Sequence, residues 1–205
     1  MQNIILRIPE PQLILPSQRT AAKSPGRLVP EFADARVAYR LRRYTVHETR
    51  MDNSYMARAI HLAIDNVRSG RGGPFGAVIV KDGNIVAEGA NQVTFSKDPT
   101  AHAEVLAIRA ACQKLDVFDL EGCEIFTSCE PCPMCLGAIY WARLSRIYFA
   151  SAADDAAKAG FDDSLIYREI AQPHAQRKVP MIQTMRDQSL AAFRAWQEKP
   201  DKIDY

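Results

Sequence analysis

The 205-residue sequence contains no apolar run of about 18 residues, the length that a membrane-spanning helix requires. It also lacks a basic N-terminal region followed by an apolar stretch and a small-residue cleavage site, which is the pattern of a secretory signal peptide. Its five cysteines are an odd number, whereas extracellular proteins normally pair their cysteines in disulfides. These absences predict a soluble protein of the reducing cytoplasm that has no membrane partner.

The sequence also lacks an internal repeat, and its charge is nearly balanced at a net +2. Residues 1–50 differ from the rest because they hold nine basic and four acidic residues together with five prolines, and they show no sustained apolar period. We interpret them as a flexible tail that is dispensable for chemistry; a targeting peptide, or a true start at Met51, are the alternatives. Residues 51–205 carry 17 basic and 20 acidic residues and have the composition of one compact domain.

The most specific motif is Cys132-Pro133-Met134-Cys135, preceded thirty residues earlier by His102-Ala103-Glu104. Two thiolates and one imidazole suit tetrahedral Zn²⁺ with a fourth position left for water, and an adjacent carboxylate could move that water's protons. The combination is typical of zinc-dependent nucleobase deaminases. A redox pair remains the alternative for Cys132 and Cys135 alone, and Cys129 could close a purely structural zinc site as a fourth ligand.

The two halves of the motif need specific local structure. A helix that begins near Pro131 places Cys132 and Cys135 on one face of its first turn. His102 and Glu104, two residues apart, cannot share a face of a regular helix. They can flank one site if the chain enters a helix there, as the start signal Asp98-Pro99-Thr100 indicates.

The remaining pattern alternates strands and helices. Apolar spacing predicts a helix over residues 54–69, and Lys81-Asp82-Gly83-Asn84 predicts a hairpin between strands at 77–80 and 85–87. Further strands are predicted at 124–127 and 146–150, and a further helix at 164–170. This order predicts an α/β fold with helices on the faces of a sheet.

Residues 53–205 resemble the cytidine deaminase-like superfamily and, within it, the guanine deaminase branch. The segments that carry the resemblance are GGPFGAVIVKDG at 72–83, DPTAHAEVLAIRAAC at 98–112, TSCEPCPMCLGAIYWAR at 127–143 and AGFDDSLIYREI at 159–170. The resemblance implies a three-layer α/β/α sandwich with a mixed five-stranded sheet, a Zn²⁺ cofactor, and a homodimer in which the C-terminal part is exchanged between protomers.

The resemblance also implies hydrolytic deamination of guanine to xanthine and ammonia. We expect a zinc-bound hydroxide to attack the amino-bearing carbon while Glu104 carries the proton. His102, Cys132 and Cys135 are the expected zinc ligands. Aminotriazines share guanine's donor edge and are expected as side substrates.

Substrate-binding residues are assigned partly from chemistry and partly from the resemblance. A carboxylate can accept both N1–H and the 2-amino group of guanine, which favours Asp163 as the reader and Asp162 as a helix cap. Asn91 is expected to contact the base and Phe75 to stack on it. Trp141 is expected either to cap the pocket or, with a slight preference, to fill the core. Lesser candidates are Ala103 and Tyr205 for the base and Glu169 as a second proton carrier.

Two other functions share part of this pattern. A tRNA adenosine deaminase would have the same zinc motif, but the negative charge of residues 51–205 argues against a nucleic-acid partner. A non-catalytic zinc or redox scaffold would need Cys132 and Cys135 but would not need Glu104.

Overall fold

A computed structural model describes residues 53–204 of the chain. The predicted tail at 1–50 and the C-terminal Tyr205 lie outside the described residues. The elements are, in chain order, α1 (Asn53–Arg68), β1 (Gly76–Lys81), β2 (Asn84–Ala90), α2 (Val93–Ser96), α3 (Ala103–Leu115), β3 (Cys123–Cys129), α4 (Pro133–Trp141), β4 (Arg146–Ser151), α5 (Ala153–Lys158), α6 (Ser164–Ala171) and α7 (Arg186–Glu198). A short 3₁₀ turn spans His174–Gln176.

The strands form one mixed sheet in the order β2-β1-β3-β4. β1 runs antiparallel to both of its neighbours, and β3 and β4 are parallel with α4 as their crossover. The hairpin turns at Asp82 and Gly83, which both have positive φ, as a type I′ turn requires. The element positions predicted from the sequence are therefore confirmed to within a few residues.

The expected fifth strand is not found among the described residues, so that expectation is corrected to four strands. The stretch that follows α6 contains apolar side chains at 179, 181 and 182, but its backbone pairs with no strand within residues 53–204. A strand requires a hydrogen-bonding neighbour, and this stretch has none in the single described chain.

The core lies on both faces of the sheet, which gives three layers. Ala77 and Ile79 of β1 and Ile125 of β3 pack against α3 and α4. The alternate residues Val78 and Phe126 pack against α1 on the opposite face. Because successive side chains of a strand point to opposite faces, the same two strands serve both layers.

Gly89 in β2 allows α3 to approach the sheet closely. A Cβ at this position would lie 2.1 Å from the carbonyl oxygen of Ala103 and 2.8 Å from the backbone nitrogen of Ala107. Only glycine leaves room for this contact between helix backbone and strand backbone. The contact sets the position of the first turn of α3, which immediately follows His102.

Residues 172–204, here called the C-terminal arm, extend from the domain with little burial. Apolar side chains along the arm are exposed, including Ile182 at 84% and Phe193 at 65%. On the α1 face of the sheet a groove of about 450 Å³ is lined by Ile60, Ile64, Val67 and Ala150, among others. Within residues 53–204, no helix has the length and hydropathy needed to cross a bilayer.

Candidate metal and base site

The site is built where two helices begin. His102 is the N-cap residue of α3 and has an extended backbone, and Cys132 holds the same position before α4. Cys135 lies in the first turn of α4, which starts at Pro133 rather than near Pro131 as expected. Nδ1 of His102 lies 3.6 Å from Sγ of Cys132 and 3.4 Å from Sγ of Cys135. The three ligand atoms all lie within 4.8 Å of one another.

These distances fit a tetrahedral zinc site. With Zn–S bonds of about 2.3 Å and a Zn–N bond of about 2.0–2.1 Å, a tetrahedron has sulfur-to-nitrogen edges of about 3.5 Å. Cys129 does not belong to the cluster, and its Sγ lies 3.8 Å from the carbonyl oxygen of Ala152 instead. The donor set therefore has three protein ligands and fits an open zinc site better than a closed structural one.

The two thiols have pKa values that are shifted in opposite directions. The hydrogen bond from Cys135, helped by His102, lowers the pKa of Cys132 to about 4 against the opposing effect of burial. The neighbouring Cys132 sulfur and burial raise the pKa of Cys135. The hydrogen bond with Cys132 also raises the pKa of His102. A thiolate is thus already present at the site at neutral pH, and thiolates are the form that binds metal.

Glu104 lies beside this cluster in the first turn of α3. It is only 7% exposed, and burial raises the pKa of its carboxyl group, although its own backbone N–H and the nearby Cys135 thiol oppose that shift. Because His102 is extended and the helix starts at Ala103, both side chains reach one site, as the sequence predicted. A carboxyl group with a raised pKa can take up and return a proton near neutral pH.

A network of two asparagines shapes the neighbouring loop at residues 72–76. The side-chain amide of Asn66, on the buried face of α1, donates to the backbone carbonyls of Gly73 at 2.9 Å and Asn91 at 2.7 Å. Oδ1 of Asn91 accepts from the backbone N–H of Gly73 and Val93. Asn91 is therefore buried and fixed. Asn66 was missed from the sequence, although an asparagine in line with Ala59 and Ala63 of the apolar stripe was the available signal.

Phe75 and the segment before α6 meet above this loop. The rings of Phe75 and Phe161 pack edge to face with centroids 5.0 Å apart. Oδ1 of Asp162 accepts the backbone N–H of Ser164 at 2.9 Å in a turn that leads into α6, whereas Asp163 occupies the N-cap position itself. Asp163 makes no side-chain capping hydrogen bond, and burial and the negative charges of Cys132, Asp162 and Glu130 raise the pKa of its carboxyl group. The carboxylate of Asp163 is thus near the cluster and not used as a cap.

The remaining candidates differ in their surroundings. Ala103 is fully buried at the start of α3 and contributes backbone there. Trp141 ends α4 and is 74% exposed, so the expectation that it fills the core is wrong. Glu169 accepts a hydrogen bond from the backbone N–H of Lys178 in the arm, at 2.5 Å. Tyr205 lies outside the described residues.

Comparison with known proteins agrees with this geometry. Residues 49–151 match the family described as the cytidine and deoxycytidylate deaminase zinc-binding region. The chain is 54% identical to guanine deaminase of Bacillus subtilis over 159 residues, which cover 78% of this chain and 99% of the relative. The X-ray structure of that enzyme superposes with a TM-score of 0.74, over 75% of this chain and 98% of that one.

Two further relatives are less similar to this chain and match a shorter part of it. A solved structure in complex with 2,6-diaminopurine is 37% identical with a TM-score of 0.51, over 53% of this chain and 61% of that chain. A tRNA-specific adenosine deaminase of Aquifex aeolicus is 47% identical over 78 residues, which cover 38% of this chain and 52% of the relative. Similarity to the tRNA enzyme is thus confined to a shorter part of the chain.

Proposed function

Since the chain belongs to the cytidine and deoxycytidylate deaminase family of zinc-dependent hydrolases, we propose that it deaminates guanine to xanthine and ammonia. The observation that carries the proposal is a buried carboxyl group, Glu104, beside a cluster of three protein ligands. Identity over nearly the full length of a guanine deaminase supports guanine as the substrate.

His102, Cys132 and Cys135 would hold a zinc ion. When bound, the ion would lower the pKa of a water molecule and so make the water nucleophilic at neutral pH. Glu104 accepts one proton from the attacking water and passes it to a ring nitrogen, and it then carries the second proton from the new hydroxyl group to the departing amine, so that the C–N bond breaks and ammonia leaves. Burial keeps bulk water from the carboxyl group and raises its pKa above the ordinary value. A raised pKa suits a group that must both take up and release a proton.

Recognition of guanine is assigned to three groups around the loop at 72–76. Asp163 accepts the N1–H and 2-amino hydrogens, a pair of donors that adenine and cytosine do not present together. The Oδ1 atom of Asn91 is engaged by two backbone N–H groups, so its N–H₂ is the group that meets the base. Phe75, held by Phe161, offers an aromatic edge or face to the ring. Aminotriazines with the same donor pair would enter the same site.

The two alternatives account for less of the structure. Three carboxylates lie together beside Cys132, on Asp163 and on Asp162 and Glu130 near it, and would repel the phosphates of a tRNA. A zinc or redox scaffold has no use for Glu104, and the burial of a carboxyl group costs free energy that a scaffold would not recover.

The C-terminal arm supports a homodimer in which the arm is exchanged. Leu190, Phe193 and Trp196 follow one another at helical spacing on α7, and the groove beside α1 is apolar. β4 lies at the end of the sheet order, so it has an edge on which the stretch at 179–185 can add the missing fifth strand. The arm of a second copy would cover both the groove and the edge.

A substrate screen tests the activity. Zinc-loaded protein is incubated with guanine, adenine, cytosine, cytidine, an aminotriazine and a tRNA that carries the target adenosine, and ammonia is measured. We expect fast release from guanine, slower release from the aminotriazine, and loss of both when a chelator removes the metal. Ammonia from tRNA but not from guanine would replace the proposal with the tRNA function, and no ammonia at all would support the scaffold.

A further inference from the structure

Tyr167, on α6, contacts the loop that carries a zinc ligand. Its hydroxyl donates to the carbonyl oxygen of Pro131 at 3.5 Å, and Pro131 immediately precedes Cys132. Partial desolvation of the phenol, together with the negative charges of Asp163, Glu130 and Cys132, raises the pKa of Tyr167. The phenol therefore stays protonated and remains a donor to the Pro131 carbonyl at neutral pH.

Tyr167 and Asp163 lie on the same side of the start of α6. Asp163 is the N-cap residue of α6, and Tyr167 follows it by four residues, about one turn into the helix. Tyr167 contacts the ligand loop directly through Pro131, and the negative charges of Cys132 and Glu130 raise the pKa of the Asp163 carboxyl group. Whatever fixes Tyr167 against that loop therefore also fixes the direction in which Asp163 points.

The other contacts of α6 are few: Phe161, just before the helix, packs on Phe75, and Glu169 accepts the backbone N–H of Lys178. None of its residues is buried, and Leu165, Ile166 and Ile170 are all exposed. The side chain of Arg168 bonds within the helix to Ser164, and the carbonyl of Ile170 bonds to Arg177 of the arm. The orientation of α6 over the site thus depends on a small number of contacts, of which the bond to Pro131 is the one nearest the cluster.

We propose that Tyr167 is a positioning residue, whose hydroxyl anchors α6 to the Pro131 carbonyl and so directs the Asp163 carboxylate at the base. The inference rests on the proposed function, because it assigns to Tyr167 a part in guanine recognition. Tyr167 acts through Asp163 and needs no contact with the substrate.

The test compares Tyr167→Phe, which removes only the hydroxyl, with Tyr140→Phe on the exposed face of α4 as the matched control. We expect Tyr167→Phe to keep its zinc and its melting temperature. Its kcat/KM for guanine should fall about threefold to tenfold, the effect of one lost hydrogen bond, mainly through a higher KM. Tyr140→Phe should match the parent chain.

Two further measurements separate positioning from a general structural role. If Tyr167 acts through Asp163, the double variant with Asp163→Ala should lose no more activity than Asp163→Ala alone. Amide hydrogen exchange over residues 164–171 should be faster in Tyr167→Phe than in the parent chain and in Tyr140→Phe, with no substrate present.

The outcomes also distinguish this inference from the proposed function. Suppose that the parent chain deaminates guanine. The role of Tyr167 alone would then be overturned if the activity losses of the two single variants added in the double variant, or if amide exchange in Tyr167→Phe were unchanged. A zinc-loaded parent chain that releases no ammonia from guanine would overturn both, since a positioning residue then has no reaction to serve.

Discussion

Two carboxyl groups near the zinc ligands have raised pKa values for the same main reason, burial, yet they are placed for different tasks. Glu104 lies in the first turn of α3 beside Cys135. The water and the base that exchange protons in the proposed reaction would lie next to it. Asp163 is the N-cap residue of α6 but makes no side-chain capping hydrogen bond, and the neighbouring Asp162 bonds to the N–H of Ser164 instead. These positions support the proposal that Glu104 transfers protons and that Asp163 recognises the base.

Replacement of the proton carrier should separate metal binding from turnover. Glu104→Gln is expected to retain zinc, because Glu104 lies outside the ligand cluster, and to lose about 10²-fold or more in kcat for guanine. Zinc stoichiometry and steady-state kinetics measure the two effects. His102→Ala is the contrasting variant and should lose both metal and activity. Normal turnover by a zinc-loaded Glu104→Gln chain would show that the proton takes another route.

Replacement of the base reader should separate recognition from folding. Asp163→Ala leaves the donors of guanine without a charged acceptor, so kcat/KM should fall more than about 10²-fold, equivalent to about 3 kcal/mol, at unchanged zinc content. Asp162→Ala should instead lower the free energy of unfolding slightly, because the turn before α6 loses a hydrogen bond, and change specificity little. Equal kinetics for Asp163→Ala and the parent chain would contradict the assignment.

At this scale the sequence predicted that His102, Cys132 and Cys135 lie together, because the spacing of these residues is typical of one metal site. The joint burial of Glu104 and Asn66 could not be predicted in the same way. Asn66 bonds to backbone atoms 7 and 25 residues away, and such partners become neighbours only after the sheet has formed. Trp141 is the opposite case. A large aromatic residue at helical spacing suggested a core position, but Trp141 is exposed at the end of α4.

Among the elements, the contact between β2 and α3 determines where the site lies. Gly89 brings the strand backbone against the first turn of α3, and His102 precedes that turn directly. Gly76 allows the corresponding close approach between β1 and α1, where a Cβ would lie 2.3 Å from the carbonyl oxygen of Ala59. The two glycines therefore fix helices on opposite faces of the same pair of strands.

A methyl group at Gly89 should displace the ligand helix. Gly89→Ala is expected to destabilise the fold by about 1–3 kcal/mol, the usual effect of overpacking, and to reduce zinc affinity because His102 moves with α3. Gly137→Ala is the matched control, because a Cβ there has no neighbour within 4 Å and alanine favours a helix. Chemical denaturation and zinc titration compare the two. A Gly89→Ala chain as stable as Gly137→Ala would mean that the helix adjusts without cost.

Element positions followed from the sequence because apolar periodicity and turn residues act locally. The hairpin at Asp82 and Gly83 and the end of α1 before Gly70 are examples. The number of strands was predicted less well, since pairing depends on a partner that the local pattern does not specify. The stretch at 179–185 has the apolar content of a strand but no neighbour in the described chain.

For the whole molecule, the exposed arm and the apolar groove are complementary features of one chain. An arm that buries almost nothing contributes little to the stability of its own domain. A contiguous apolar groove at the surface of a domain usually marks an interface. The two features together account for the absent fifth strand if the arm belongs to a neighbouring copy.

A charge in the apolar stripe of α7 should disrupt that assembly. Phe193→Asp is expected to shift the protein from dimer to monomer, and Ala191→Asp, about 200° around the helix from Phe193, should leave the dimer intact. Sedimentation velocity at several concentrations measures the state. Mixing the Phe193→Asp and Ile64→Asp variants should restore dimers. In such a dimer the intact groove of the Phe193→Asp protomer binds the intact arm of the Ile64→Asp protomer. A monomeric parent chain would contradict the exchange.

The start of two helices at the zinc ligands has a consequence for charge. His102 and Cys132 are both N-cap residues, so α3 and α4 direct their first backbone N–H groups, and the partial positive charge of each helix terminus, at one point. A divalent cation, two thiolates and a neutral imidazole would sum to zero formal charge. The positive potential of the two termini would then remain uncompensated by the ligands, and it would stabilise negative charge as it develops on the base.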